Sequence, residues 1–239
     1  MFGLISDVGM VRSLNEDFAE CYEDENFSIY VVADGMGGHN AGEVASKMAA
    51  QGIVNYISNN FYSKEKTNLL KESIEKVNKE IYINSVKSDN LSGMGTTITA
   101  CFKFDNTVQV ANVGDSSCFG INKNLIKKIT KDHSLVQELV DLGTISESEA
   151  VNHPKKNIIT RAVGTSEDID VDIFNLDSSE YSMFLLCSDG LSNEVTKEEI
   201  LLIVQEEETF TAACNRLVNL AKFKGGRDNI TVLLFGGEI

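Results

Sequence analysis

Short apolar runs alternate with longer amphipathic stretches along this chain. Val31-Val32-Ala33, Thr97 to Phe102, Val108 to Val113, Met183 to Cys187 and Ile230 to Phe235 are rich in β-branched and aromatic residues. Each is bounded by Gly, Asp or Asn, as buried or half-buried strands are. Phe18 to Tyr22 reads as a further strand. Glu43 to Ile57 carries Val44, Met48, Ile53, Val54 and Ile57 near helical spacing, and Lys66 to Val86 carries Leu69, Leu70, Ile74, Val77, Ile81 and Val86 in the same way. A polar turn around Ser58 to Lys64 would fold these two into a hairpin over a sheet. Thr196 to Val204 opens on Thr-Lys-Glu-Glu, a capping-box pattern, and Thr209 to Phe223 is a fourth amphipathic helix.

Strands in two groups, each followed by paired helices, predict an α+β layered fold rather than a βαβ array. The tight turn Phe104-Asp105-Asn106-Thr107 predicts antiparallel pairing. Leu135 to Asn157 differs from its surroundings: it is polar, helix-like in short pieces, and holds the only proline, Pro154. It reads as an insertion over the sheet. With no internal repeat or linker, residues 1–239 read as one domain carrying an insertion at about 135–157.

Composition adds limits. A formal net charge of −15 argues against a nucleic-acid or anionic-membrane surface, both of which need clustered Lys and Arg. It leaves phosphorylated substrates open, because bound metals or a few cations reverse the field inside one cleft. Cys21, Cys101, Cys118, Cys187 and Cys214 are scattered and mostly in apolar surroundings, which predicts free thiols in a cytoplasmic protein. Met1 to Val11 lacks the basic start and apolar core of a secretory signal, and no run is long enough to span a membrane.

The acids carry the chemistry. Asp34 ends one strand and precedes Gly35; Asp115 follows the strand ending at Val113; Asp189 ends another and precedes Gly190. Asp228 precedes the final strand, and Glu16 and Asp17 precede the strand at Phe18. Any one of these has an ordinary explanation as a turn former. Several acids at the ends of different strands can converge, and a cluster of like charges needs cations to neutralise it. All-oxygen ligands without a Cys/His array suit Mg²⁺ or Mn²⁺. In Asp34-Gly35-Met36-Gly37-Gly38-His39 the glycines let backbone approach an ion, so the Gly35 carbonyl is a candidate ligand. No Gly-Lys-Ser/Thr follows, so this is not a nucleotide P-loop.

An ordered set of motifs resembles the bacterial branch of the type 2C (PPM) protein phosphatases. It runs through Gly9-Met10-Val11-Arg12 with Asn15-Glu16-Asp17, Val32 to His39, Gly93-Met94-Gly95-Thr96-Thr97, and Ala111-Asn112-Val113-Gly114-Asp115-Ser116. It continues through Asp132-His133-Ser134, Ile159 to Gly164, Cys187-Ser188-Asp189-Gly190-Leu191 and Gly226 to Thr231, covering essentially the whole chain.

The resemblance implies a four-layer α-β-β-α sandwich, two antiparallel β-sheets flanked by helix pairs, with a binuclear Mn²⁺ or Mg²⁺ site at one edge. It implies that Asp34 bridges the two metals, that Asp189 and Asp228 complete one, and that Glu16 with the Gly35 carbonyl serves the other. Asp17 would lie in or next to that shell, and Asp115 with Asp189 would hold a third, weaker metal. Two metals sharing a water lower its pKa and give a nucleophile for in-line attack on phosphoserine or phosphothreonine. Arg12 matches the phosphate-binding arginine, whose planar fork suits bidentate contact. Leu135 to Asn157 matches the family's flap. The expected partners are phosphorylated protein substrates and a cognate Ser/Thr kinase with its targets, and the expected state is a monomer.

Two positions depart from the pattern. Ser117 stands where Arg is common, and Met36 where eukaryotic members carry a histidine proposed as general acid. His39 is a weak alternative proton donor, and His133 is expected to support the fold near the flap. A metal-dependent phosphodiesterase and an inactive binding module of the same fold remain as alternatives.

Overall fold

A computed structural model describes residues 1–37, 41–151 and 153–236. The strands are β1 (Phe2–Asp7), β2 (Asp17–Glu23), β3 (Phe27–Met36), β4 (Gly95–Thr96), β5 (Ile98–Phe104), β6 (Thr107–Val113), β7 (Ser117–Asn122), β8 (Leu125–Lys128), β9 (Asp172–Asp177), β10 (Met183–Cys187) and β11 (Ile230–Gly236). The helices are α1 (Ala41–Asn60), α2 (Lys66–Lys87), α3 (Leu135–Asp141), α4 (Glu147–Val151), α5 (Asp189–Ser192), α6 (Lys197–Glu206) and α7 (Phe210–Lys224).

One sheet runs β1-β11-β10-β7-β8 and the other β2-β3-β5-β6-β9, with the short β4 paired to β3. All named pairings are antiparallel. The layers follow from the two-residue period of strands. Along β5, Ile98, Ala100, Phe102 and Phe104 join the core under α1 and α2, while Cys101 faces the other sheet. Along β11, Ile230, Val232 and Leu234 pack under the late helices, while Leu233 and Phe235 face between the sheets. Both faces of these strands are buried, which is why they read as continuous apolar runs. Tyr30 of β3 stacks on Phe235 of β11 at 3.8 Å and 10° and joins the sheets at the centre. Such a pair is worth about 0.5–1.5 kcal/mol beyond its buried area.

The four long helices form where periodicity predicts them, and the Thr196–Glu199 capping box closes the start of α6 in both directions. The Asp105-Asn106 turn forms a two-residue hairpin between β5 and β6, with Asp105 at φ 48°. The strand groups along the chain, each followed by helices as expected, are not themselves the two sheets. β1 pairs with β11 from the opposite end of the sequence, and each sheet draws strands from early and late segments. No described helix is long and apolar enough to cross a membrane.

Antiparallel alternation brings the functional acids together. The C-terminal ends of β3, β6 and β10 and the N-terminal starts of β2 and β11 fall at one edge of the sandwich. Asp17 and Asp34 are direct register partners there.

Candidate metal centre

At that edge a cleft is lined by Arg12, Glu16, Asp34, Gly35, Asp115, Asp189 and Asp228, together with Met36, Gly37, Asn157, Ile159 and Asn229. The chain thus brings together six of the seven predicted ligands and the predicted arginine. The seventh, Asp17, lies buried behind the cleft wall. Its Oδ2 accepts hydrogen bonds from Ser188 Oγ and Thr231 Oγ1, both at 2.7 Å, and its Oδ1 has no partner among the described residues. His39 and Gly38 lie outside the described residues.

Asp34 and Glu16 are held through their backbones by hydrogen bonds from distant segments. Asp34 N–H donates to Thr97 Oγ1 (3.0 Å), and its carbonyl accepts from Thr96 Oγ1 (2.9 Å) and Thr97 N–H (2.8 Å). The Gly93 to Thr97 motif therefore fixes the end of β3. Glu16 N–H donates to Asn229 Oδ1 (2.8 Å), while Asn229 Nδ2 donates to the carbonyls of Val8 (3.1 Å) and Leu14 (2.9 Å). One asparagine thus ties the Arg12 loop and Glu16 to the start of β11. Ser46 Oγ of α1 donates to the Glu16 carbonyl at 2.6 Å. At Gly35 a Cβ would run into the Gly42 carbonyl of α1, so only glycine lets that helix start against the cleft floor.

The electrostatics are those of crowded, desolvated acids. Burial pushes Asp17 up to about 7, with Asp189 and Asp228 adding repulsion against the two hydroxyl bonds that lower it. Burial and then the charges of Asp17, Asp189, Asp115 and Asp228 raise Asp34 well above the ordinary carboxylate range. Burial and neighbouring Asp189 and Asp132 raise Asp115 to about 7. Burial and Asp228 raise Asp189 to about 6, opposed by Arg12 and Lys156. Arg12 Nη2 donates to Asp228 Oδ2 at 2.8 Å, and the arginine is 51% exposed at the cleft mouth.

The donor set fits a hard divalent cation. Asp17 Oδ1, Asp115 Oδ1 and Asp189 Oδ1 are buried without a hydrogen-bond partner among the described residues. An unsatisfied buried group costs roughly 1–3 kcal/mol, more when charged. Among the described residues no three acids close on one point as a complete ligand set. Mg²⁺ and similar ions keep several waters and take one or two carboxylates, so an open cradle suits them.

A second cleft of about 230 Å³ shares Asp115, Asn157 and Asp189 with the first and runs beneath α3 and α4, with Lys156 and Asn193 on its wall. Lys156 and Asn157 were not singled out in the sequence, since only the fold carries the polar insertion to this edge. Asn229 was visible only as part of a motif, and its clasp joins positions more than 200 residues apart. Ser117 is buried on β7 with its Oγ unpaired among the described residues, and Met36 lines the cleft half-buried.

This sandwich, with buried oxygen donors at one edge and an arginine at the mouth, is the architecture of a metal-dependent phosphohydrolase. The sequence model described as protein phosphatase 2C matches residues 11–229. The serine/threonine phosphatase stp of Listeria monocytogenes serotype 4b (strain F2365) is 40% identical over 233 residues, covering 96% of this chain and 92% of that protein. The crystal structure of serine/threonine phosphatase Stp1 from Staphylococcus aureus superposes with a TM-score of 0.90 at 35% identity, covering 100% and 95% of the two chains. The catalytic domain of the serine/threonine protein phosphatase PstP in complex with two manganese ions gives 0.83 at 32% identity, covering 98% and 96%. The chain belongs to the protein phosphatase 2C family and is a serine/threonine protein phosphatase of that type.

Proposed function

We propose that this chain hydrolyses phosphoserine and phosphothreonine on proteins at a binuclear Mn²⁺ or Mg²⁺ centre. The observation that carries this reading is the convergence of Asp34, Asp115 and Asp189, desolvated and mutually repelling, in one cleft where Asp115 Oδ1 and Asp189 Oδ1 are buried without a partner among the described residues. Asp34 would bridge two ions, Asp189 and Asp228 would complete one, and Glu16 with the Gly35 carbonyl would serve the other. Asp115 with Asp189 would hold a third, weaker ion, and Asp17 would stand next to the shell through its unpaired Oδ1. The manganese pair in PstP supports this assignment. When bound, these ions supply positive charge at the phosphoryl oxygens and an activated water for attack on phosphorus.

The chain's own residues do the remaining work. Arg12 at the cleft mouth presents its fork to the incoming phosphate, while its bond to Asp228 holds that fork in register with the carboxylates. The Thr96-Thr97 and Asn229 contacts keep the acids from relaxing apart under their own repulsion. Residues 1–239 act as one catalytic domain, and the α3–α4 segment, as the flap, borders the substrate side. The enzyme works as a cytoplasmic monomer opposite a Ser/Thr kinase, in keeping with its free cysteines and its bacterial relatives.

A substrate panel tests the reaction class. Phosphothreonine and phosphoserine peptides are expected to release phosphate in Mn²⁺. Turnover of cyclic dinucleotides with none of phosphopeptides would move the assignment to a phosphodiesterase.

A further inference from the structure

His133 sits between β8 and α3, buried, and lines neither cleft itself. Two of its contacts nevertheless meet at Gly114, the residue that precedes Asp115. His133 N–H donates to the Gly114 carbonyl at 2.9 Å, and Gly114 N–H donates to His133 Nδ1 at 3.0 Å. One residue thus engages both polar groups of a glycine held at φ 109°. Asn112 Nδ2 adds a second donor to the same carbonyl at 3.1 Å.

The tautomer follows from these contacts. A backbone N–H can only donate, so Nδ1 accepts and the ring proton lies on Nε2. Nε2 faces Asp172 Oδ2 of β9 at 3.2 Å, and the other Asp172 oxygen accepts from Arg161 Nη1 at 2.8 Å. Arg161 Nη1 also stands 3.0 Å from Nε2, and since both nitrogens carry hydrogens they share Asp172 rather than bond each other. A carboxylate orients the imidazole, and the imidazole orients the loop. The same residue closes the base of the insertion: the His133 carbonyl accepts from Thr160 N–H at 2.9 Å, and Ser134 bridges Ile159.

We propose that His133 is a positioning residue that sets the Asp115 carboxylate toward the cleft by clamping Gly114, and that it ties this setting to both ends of the α3–α4 segment. The inference rests on the reading of Asp115 as a ligand to the weaker ion.

Two variants separate the arms of the imidazole. In His133→Asn the amide oxygen falls near Nδ1 and can still accept from Gly114, while the Asp172 contact is lost. In His133→Gln the amide reaches toward Asp172, while the Gly114 acceptor is lost. Amide exchange by NMR in the metal-free protein reads the clamp directly, and isothermal titration with Mn²⁺ reads the carboxylate. The Gln variant is expected to exchange Gly114 about tenfold faster and to bind the weakest Mn²⁺ about tenfold less tightly. The Asn variant should stay within about threefold of wild type on both. Adding His133→Gln to Asp115→Asn should cost no further Mn²⁺ affinity. Equal behaviour of the Gln and Asn variants in exchange, or Mn²⁺ affinity unchanged in the Gln variant while Asp115→Asn loses it, overturns the proposal. If Asp115→Asn alone leaves Mn²⁺ binding intact, the ligand reading of Asp115 fails, and the proposal with it. Gly114 exchange then still reports whether the clamp itself exists.

Discussion

The crowded acids make the metal-free protein lose stability as pH rises, the reverse of the usual acid denaturation. A carboxylate whose pKa is raised on folding holds its proton more tightly in the folded chain than in the unfolded one. Its contribution is therefore present at low pH and is lost as pH rises through the folded value. Asp17 and Asp115 stand at about 7 and Asp189 at about 6, all from burial first and neighbouring acids second. Between pH 5 and pH 7 one group at about 7 accounts for roughly 2 kcal/mol, the slope of about 1.36 kcal/mol per pH unit fading as the group titrates. These acids repel one another and release protons in shared steps, so one to two groups' worth, about 3–5 kcal/mol, is the expected loss from pH 5 to pH 8. For a chain of this length each kcal/mol moves Tm by roughly 2–4 °C, giving a fall of about 6–20 °C. Asp7 and Asp172 lie below the ordinary range despite burial, because Lys222 hydrogen-bonds the first and Arg161 with His133 the second. Their contribution is lost only near and below pH 4, outside this window. Calorimetry in EDTA at pH 5, 6, 7 and 8 reads the slope, and saturating Mn²⁺ should flatten it, since ions take the deprotonated carboxylates. A metal-free Tm that is level or rising from pH 5 to pH 8 would refute the reasoning.

Asp189→Asn is expected to abolish nearly all turnover and weaken Mn²⁺ binding in a titration, whereas Arg12→Ala should raise KM for a phosphopeptide by about 10–100-fold with a smaller change in kcat; the reverse split would remove Arg12 from phosphate binding. Burial pushes Cys101, Cys187 and Cys214 up to about 12 and holds Cys118 well above the ordinary thiol range, so intact-mass measurement should find these four unalkylated by iodoacetamide until the chain is unfolded. Thr196→Ala removes the α6 capping box and should cost about 1 kcal/mol, a fall in Tm of roughly 2–4 °C, with phosphatase activity retained.

What the sequence displays and what it hides divide along physical lines. β3, β5, β6, β10 and β11 are central strands buried on both faces, and their apolar runs mark them plainly. β8 and β9 are sheet edges with no fully buried residue, and their short, polar-mixed sequences Leu-Ile-Lys-Lys and Asp-Ile-Phe-Asn-Leu-Asp carry no apolar run to mark them. β7 was also missed: its Gly120 lies against the Tyr181 ring, where a Cβ would collide, and a glycine there reads as a break. β1 pairs with a strand more than 200 residues away, a relation no local pattern carries. The acids of the site were legible because turn-forming aspartates recur after strands. The holding roles of Asn229, Thr97, Ser46 and Ser188 were not, since they act through long-range hydrogen bonds. Asp17 shows the limit within one motif: its neighbour Glu16 lines the cleft, while Asp17, one residue on, points back between the sheets.

The central claim is that this chain removes phosphate from phosphothreonine only with divalent ions held by the acids at the sheet edge. The direct measurement is phosphate release from a phosphothreonine peptide by EDTA-treated, desalted protein, before and after Mn²⁺ or Mg²⁺ is restored, beside Asp34→Asn treated identically. Activity is expected to be absent after chelation, restored by either ion in the wild type, and restored in neither case by the variant. Phosphate release that survives thorough chelation, or full recovery in Asp34→Asn, would contradict the account.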